Sequence, residues 1–386
     1  MRCRLMGALL AGLVAVTLPT VTATTANAQP EPGSAFVAAE SSVRVLDTRT
    51  GDGVPVWTRS SVTVDVADRV PLGATAVVLN VTGVALTQPT YVSAWQAGEP
   101  RPGVSSLNLV VGETRSTTVT VPVGSDRRVS LYNHNGNTHL IADFVGHYGQ
   151  GGTSWYNSVT QQRFLDTRGG EPFHGGSART VSLAGLVPPS TTSVVLNVTA
   201  VDPTKHTFLT VSRTITGRPT TSSLNAYPYR ITPNLVTVPV SDELNIAVWN
   251  NSGEVDVLLD LFGYYSPDEG AGFHPITPVR GYDSRTTEWV WPNAQRNVPL
   301  GGVVPAEAET VLFNLTGIGY FYGTSLTAWP AGQPRPNVSS VNINGSQTAA
   351  NHAVVDLGTR RAVDVYNASD HTHIVVDVAG YFAPRA

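Results

Sequence analysis

The eight residues 77–84 read VVLNVTGV, and this stretch returns as VVLNVTAV at 194–201 and as VLFNLTGI at 311–318. The central asparagine stands at positions 80, 197 and 314, so the spacing (197 − 80 and 314 − 197) is 117 residues both times. Segments rich in Val, Leu and Thr that lack a helical period favour β-strands. A chain of 386 residues that repeats such a unit is expected to contain three copies of one fold.

The other motifs of each copy keep this spacing. The closing strings DFVGHY, DLFGYY and DVAGYF begin at residues 143, 260 and 377. The opening motifs RVLDTR, RFLDTR and RGYDSR have their aspartates at 47, 166 and 283, so only the first interval is longer, at 119 residues (166 − 47). We assign this difference to a two-residue insertion within VDVADRVPLG, residues 64–73.

Each copy contains seven or eight short segments rich in Val, Thr, Ile and Tyr, bounded by Gly, Pro, Asn or Asp. This pattern predicts an all-β fold of three tandem β-sandwich repeats with immunoglobulin-like or jelly-roll topology. We place repeat 1 at residues 29–150, repeat 2 at 151–267 and repeat 3 at 268–386, after a signal peptide at 1–28. These repeats are called copies one, two and three below.

The N-terminus combines early positive charge, an apolar run from Leu5 to Leu18 and the string Ala26-Asn27-Ala28. These are the parts of a secretory signal peptide, and the apolar run is shorter than the ~20 residues that span a bilayer. We therefore expect a secreted, extracellular protein without a membrane span, released into the medium or associated with the cell wall. The single cysteine, Cys3, lies in the predicted signal peptide, so the mature chain would have no disulfide and no thiolate.

Several motifs together carry a resemblance. An aromatic residue, R-x-L-D-T-R, VVLNVT, an A-G-x-P-R-P turn, S-x-L-N, T-V-P-V-G and V-D-V-x-G-Y-Y follow one another in the copies. This order resembles a tandem β-module of secreted actinobacterial proteins, which occurs alone or attached to extracellular hydrolases. The resemblance covers almost the whole mature chain and implies an accessory or surface role. Copy three departs from the pattern at Gly281, Tyr282 and Ser284, and copy one departs from it at His147.

The charge and the motif content exclude several classes of function. A net charge of −4 gives no basic surface for nucleic acid. No G-x-S-x-G, H-E-x-x-H, phosphate-binding or dinucleotide-binding motif is present, so we expect no cofactor and no enzymatic activity. His371 and His373 are two apart on a predicted strand and could share a metal ion, but their alternation with Ile374 and Val376 favours an exposed strand face. We therefore predict no metal site.

Each opening aspartate is flanked by an arginine three residues before it and another two residues after it. Paired carboxylates could indicate cleavage of a glycosidic bond. Charge-assisted Arg–Asp bonds that hold the first strand in register explain the threefold recurrence more simply. We therefore interpret these residues as structural ion pairs: Arg44, Asp47 and Arg49; Arg163, Asp166 and Arg168; Arg280, Asp283 and Arg285.

Asn80, Asn197 and Asn314 each begin an N-x-T sequon. They match a glycosylation acceptor. In a strand of a bacterial protein this match is more simply a coincidence, and a half-buried asparagine that closes a backbone hydrogen bond at a bulge explains the recurrence equally well.

The loop after each opening motif differs most between copies, and variable loops on a rigid scaffold concentrate binding residues. It offers Trp57 in copy one, Phe173 and His174 in copy two, and Trp289 and Trp291 in copy three. Trp95 and Trp329 form a second candidate pair, whose counterpart in copy two is Ser212. The alternative is that these rings fill the open end of each sandwich or the joints between copies.

These observations favour recognition without bond breaking. We predict a secreted, multivalent, lectin-like binding protein whose partner is an extracellular glycan or cell-wall polymer, because flat aromatic faces suit sugar rings and repeated sites add avidity. The alternative is a structural or scaffold protein that binds other secreted proteins. A third reading is an extracellular hydrolase with a dispersed site.

Overall fold

The computed structural model describes residues 32–385, so the predicted signal peptide lies outside the described residues. The all-β part of the sequence prediction is confirmed, since strands account for every regular element except the short 3₁₀-helix Ser284–Thr286. All described residues belong to one compact unit. No helix among them is long and apolar enough to cross a membrane.

Each copy forms a similar series of strands. Copy one contains β1 (Phe36–Asp47), β2 (Ser60–Asp65), β3 (Ala74–Ala85), β4 (Thr90–Gln96), β5 (Leu107–Leu109), β6 (Thr114–Pro122), β7 (Arg128–Asn133) and β8 (Thr138–Gly149). Copy two contains β9 (Trp155–Asp166), β10 (Phe173–His174), β11 (Ser177–Ser182), β12 (Ser193–Val201), β13 (Thr207–Ser212), β14 (Leu224–Ala226), β15 (Ile231–Pro239), β16 (Asn245–Asn250) and β17 (Glu254–Ser266). Copy three contains β18 (Gly272–Asp283), β19 (Ala294–Pro299), β20 (Thr310–Gly319), β21 (Gly323–Pro330), β22 (Val341–Asn344), β23 (Thr348–Asp356), β24 (Ala362–Asn367) and β25 (Thr372–Ala383).

Every copy contributes two small antiparallel sheets. In copy one their strand orders are β1-β8-β3-β6 and β2-β7-β4-β5. Copy two repeats this as β10-β17-β12-β15, with β9 also paired to β17, and β11-β16-β13-β14. Copy three repeats it as β18-β25-β20-β23 and β19-β24-β21-β22. The six sheets are arranged as the blades of a six-bladed β-propeller.

The prediction of three tandem β-sandwich repeats is therefore wrong, whether immunoglobulin-like or jelly-roll. An independent sandwich leaves the outer face of each sheet to solvent, whereas all nine residues of β12 are buried. In β3, Val77 and Leu79 pack in the core between the two sheets of copy one. Ala76 and Val78, on the opposite face, pack in a central cluster to which all three copies contribute. The copies thus bury their remaining apolar faces against one another.

Aromatic side chains dominate this central cluster. Phe36, Tyr156 and Phe273 come from the first strands of the three copies, and Tyr148, Tyr265 and Phe382 come from their last strands. The segments that carry them are also joined by backbone hydrogen bonds, from the N–H of Phe36 to Ser154, of Tyr156 to Ala271 and of Ser34 to Phe273. Copy one thus joins copy two, copy two joins copy three, and copy three returns to copy one.

The contact between two adjacent copies is called a seam below. Each of the three sequon asparagines forms a hydrogen bond across one seam. The Nδ2 of Asn80 donates to the carbonyl of Ser222 at 2.6 Å, and the equivalent pairs are Asn197 with Ser339 (2.6 Å) and Asn314 with Ser105 (2.8 Å). All three asparagines are buried. The side-chain nitrogen to which a glycan would attach is therefore inside the folded chain and already bonded, which gives the recurrence a structural explanation.

The seam between copies three and one differs from the other two. Asn234 donates to Asn80 Oδ1 and Asn351 donates to Asn197 Oδ1, at 3.1 and 2.9 Å. Thr117 occupies the corresponding position of copy one, and Asn314 Oδ1 has no partner among the described residues. This seam therefore lacks one asparagine–asparagine bond. His352 of copy three is buried and lines a small central cavity together with Thr118 of copy one and Leu235 of copy two, and its Nδ1 has no partner in residues 32–385.

Candidate functional site: an aromatic surface on copy three

A buried asparagine ties together three loops at one end of copy three. Asn367 Nδ2 donates to the carbonyl oxygens of Val290 and Asp370, at 2.8 and 2.6 Å. Its Oδ1 accepts a 2.6 Å hydrogen bond from the Thr324 hydroxyl. A satisfied buried amide of this kind fixes the backbone around it. The same frame exists in the other copies, where Asn133 and Asn250 bond the corresponding carbonyls and hydroxyls.

The three loops bring together a group of aromatic side chains that we call the aromatic platform. Trp289 lies at its base, with its indole stacked on the His373 imidazole at a centroid distance of 3.9 Å. The Tyr320 ring meets the same indole edge-on at 4.3 Å. The platform comprises Trp289, Trp291, Tyr320, Phe321, Tyr322, His371 and His373.

A carboxylate holds the most exposed part of the platform. Asp370 Oδ2 accepts hydrogen bonds from the backbone N–H groups of Phe321 and Tyr322, both at 2.8 Å. These bonds fix the loop between β20 and β21 while its side chains face solvent, with Phe321 61% and Tyr322 92% exposed. Trp291 is 58% exposed beside them. Adjacent exposed aromatic rings on a fixed backbone are typical of a binding surface.

The two histidines of the platform make aromatic contacts. The His371 ring lies 5.8 Å from Tyr320 in a stacked arrangement and 5.2 Å from Phe321 in an edge-on one. Burial lowers the pKa of His373, whose Nδ1 lies 3.0 Å from the Ser284 hydroxyl. No group of three or more His, Cys, Asp or Glu side chains suited to a metal ion occurs in residues 32–385. The neutral His373 ring is a packing partner for Trp289.

The other two copies carry different side chains on the same frame. Trp57 and His174 occupy the positions 117 residues apart that correspond to Trp291, and both are exposed. Trp289 is replaced by proline in both copies. The loop 320–322 corresponds to Leu86-Thr87-Gln88 in copy one and to Pro203-Thr204-Lys205 in copy two. Among the described residues, the full platform is confined to copy three.

The remaining candidates from the sequence lie elsewhere. Phe173 is fully buried under the Arg179 guanidinium, which lies 4.4 Å from its centroid, so its position is that of a core residue. Trp95 and Trp329 are also buried, and their indole N–H groups donate to the carbonyls of Glu99 and Gln333, both at 2.8 Å. The structure thus brings together Trp289 and Trp291, leaves Trp57 and His174 exposed on separate copies, and buries the other three.

The opening arginines also reach the closing aspartates, a link that the sequence reasoning missed. Arg44 lies 3.0 Å from Asp47 and 2.9 Å from Asp143, and Arg49 lies 2.7 Å from Asp47. Hydrogen bonds from Arg49 lower the pKa of Asp47 to about 2, whereas burial raises the pKa of Asp143. Copy two repeats the arrangement with Arg163, Asp166, Arg168 and Asp260, and copy three with Arg280, Asp283, Arg285 and Asp377. These groups connect the first and last strands of each copy.

Comparison with known proteins adds one weak likeness. No family model and no curated protein matches the chain. A solved structure of the Sulfolobus turreted icosahedral virus is similar over 91% of each chain, with 9% sequence identity and a TM-score of 0.19. This superposition is too poor to carry an argument about fold or function.

Proposed function

We propose that this protein is an extracellular binding protein that recognises carbohydrate at the aromatic platform. A β-propeller is often a binding or scaffold domain, so the architecture is compatible with this role. The observation that carries the proposal is the group of exposed aromatic rings held by the buried Asn367. An exposed apolar surface that is rigid loses little conformational entropy when a ligand binds.

The chemistry of the platform suits a sugar better than a purely apolar ligand. The C–H faces of a sugar ring pack on the faces of Trp291 and Phe321, and its hydroxyl groups need polar partners at the edge of those faces. The hydroxyl groups of Tyr320 and Tyr322 supply such partners. The Asp370 carboxylate positions these side chains instead: its Oδ2 accepts two backbone N–H groups, its Oδ1 lies 3.3 Å from the His371 Nδ1, and its side chain is only 7% exposed.

The corresponding exposed residues Trp57 and His174 support a multivalent version of the proposal. They present a second aromatic ring and an imidazole at the equivalent positions of copies one and two. Each lacks the surrounding rings of copy three, so each would contribute a weaker contact. Weak contacts on one rigid body raise the apparent affinity for a repetitive polymer.

The test is a binding assay on peptidoglycan, chitin and cellulose followed by calorimetry with soluble fragments of whichever polymer binds. We expect the double variant Trp291→Ala, Tyr320→Ala to weaken binding by at least thirtyfold, since central aromatic contacts are each worth about 2 kcal/mol or more. Trp57→Ala is the matched control and should change the affinity much less. Absence of binding to all polymers, or equal binding by the double variant, would overturn the proposal.

Secretion belongs to the same proposal and has its own test. The apolar run before Ala28 supports export, with the mature chain beginning at Gln29. Expression of the full chain in an actinobacterial host, with N-terminal sequencing of the protein from the medium, should find Gln29 as the first residue. Recovery of the full-length chain from the cytoplasm alone would contradict export.

A further inference from the structure

A cavity of about 490 Å³ lies at the seam between copies two and three. Its apolar wall includes Phe262, Trp329 and Val355, and its polar wall includes Ser158, Gln161 and Asp356. This volume and this mixture of apolar surface with a few polar groups are typical of small-molecule sites. The cavity is separate from the aromatic platform, because β21 leads away from the platform at Gly323 and reaches the cavity at Pro330.

The polar wall contains an amide with unmet hydrogen-bonding capacity. Gln161 is only 7% exposed, and neither its Oε1 nor its Nε2 has a partner among the described residues. Leaving a buried amide unpaired lowers the stability of the folded chain. The residue two positions before the opening arginine is Ser42 in copy one and Pro278 in copy three, so this amide is a feature of one seam alone. This amide is therefore available to pair with a ligand that offers one donor and one acceptor.

A carboxylate stands on the same wall. Asp356 Oδ2 accepts a 2.8 Å hydrogen bond from the Ser158 hydroxyl, and its Oδ1 accepts one from Thr310. No arginine, lysine or histidine forms an ion pair with Asp356 in residues 32–385. An uncompensated carboxylate disfavours an anionic ligand, and its remaining lone pairs accept hydroxyl groups.

We propose that this cavity binds an N-acetylated hexosamine unit of a glycan. The acetamido group offers one N–H donor and one C=O acceptor, which match the Oε1 and Nε2 of Gln161. Its methyl group is accommodated by the apolar wall, and the sugar hydroxyls are accepted by Asp356. The choice of a sugar rests on the proposed function, whereas the position of the site and the requirement for an amide follow from the cavity itself.

The test compares N-acetylglucosamine with glucose by saturation-transfer NMR on the intact protein, with affinities from titration. We expect saturation of the acetamido methyl protons and no comparable signal from glucose. Gln161→Leu should weaken N-acetylglucosamine binding about tenfold or more, because both amide hydrogen bonds are lost. The neighbouring exposed Gln162 provides the matched control, and Gln162→Leu should leave the affinity unchanged.

Equal signals from the two sugars, no signal from N-acetylglucosamine, or unchanged affinity in Gln161→Leu would overturn the proposal. Gln161→Leu removes an unpaired buried amide, so its melting temperature should be equal to or higher than that of the wild type, and loss of binding would not reflect misfolding. Asp356→Asn is a second variant that should also weaken binding. The platform variant Trp291→Ala, Tyr320→Ala should retain acetamido saturation, which separates failure at the cavity from failure at the platform.

Discussion

In copy one the residues that correspond to Tyr320, Phe321 and Tyr322 are Leu86, Thr87 and Gln88, yet the asparagine beneath them makes the same bonds in both copies. The comparison separates two kinds of residue. Those that recur at 117-residue spacing hold the strands and loops together, and those that change at the loop ends decide what the surface contacts. Substitutions of the first kind should cost stability similarly in every copy, and substitutions of the second kind should affect binding at one copy only.

The largest effect is expected from the recurring ion pairs. Asp143→Ala and Asp260→Ala each leave a partly buried arginine without its closest carboxylate, which should lower the free energy of unfolding by about 4 kcal/mol. Urea denaturation at neutral pH measures it. A loss under about 1 kcal/mol in either copy, or a large difference between the two copies, would contradict the view that the recurring residues stabilise every copy alike.

The stability of the protein should respond to acid through His352, which is buried where the three copies meet. Burial lowers the pKa of His352 to about 4. The unfolded chain therefore takes up a proton near pH 6.5 while the folded chain does not. The free energy of unfolding is unaffected by this group above pH 6.5 and falls by about 3 kcal/mol as the pH drops to 4. His352→Leu, which matches Leu235 of copy two, should remove this part of the pH dependence. Parallel stability curves for variant and wild type between pH 4 and 7 would contradict it.

The buried loop asparagines, Asn367 in copy three and Asn133 in copy one, allow stability and binding to be compared in the two copies. Asn367→Ala and Asn133→Ala should each lower the free energy of unfolding by about 2 kcal/mol, because each exchange leaves buried carbonyls unpaired. Only Asn367→Ala should also weaken carbohydrate binding, since it releases the loops that carry the platform. Thermal denaturation combined with calorimetry tests both statements. Equal loss of binding in the two variants would show that copy one contributes as much as copy three.

Exchange of the loop itself should have the smallest effect on stability. The triple variant Tyr320→Leu, Phe321→Thr, Tyr322→Gln gives copy three the loop of copy one. We expect the free energy of unfolding to change by less than about 1 kcal/mol, because the exchanged side chains are partly or largely exposed. Carbohydrate affinity should nevertheless fall about thirtyfold. A loss of stability as large as that of Asn367→Ala would show that these loop residues stabilise the fold as the recurring residues do.

The strands could be predicted from local pattern, whereas their assembly could not. The run Val77 to Leu79 is apolar at consecutive positions, which indicates a strand buried on both faces. The same run also fits a strand of a sandwich, because a local pattern does not specify which surface covers the second face. The two-residue insertion was also misplaced. β2 and β11 begin at Ser60 and Ser177, already 117 residues apart, so the extra residues lie before Ser60.

The candidate site was predicted only in part, for a similar reason. Trp289 and Trp291 were found because they lie in the variable loop after an opening motif. The three aromatic residues 320–322 between two glycines were visible in the sequence, but they lie in another loop. Only the fold shows that both loops meet beside His371. Sites assembled from separated loops require the topology before their members can be grouped.

The bond from Asn314 to Ser105 joins residues 209 positions apart and closes the circle of copies. While the chain is being synthesised, copies one and two can pack together. Ser105 and the neighbouring β5 have no hydrogen-bonding partner from copy three until that copy has been synthesised. An unprotected strand edge during this interval could pair with another chain. Truncation before residue 314 should therefore yield aggregates or head-to-tail oligomers, whereas a permuted gene that links the present termini and opens a joint between copies should still give a monomer.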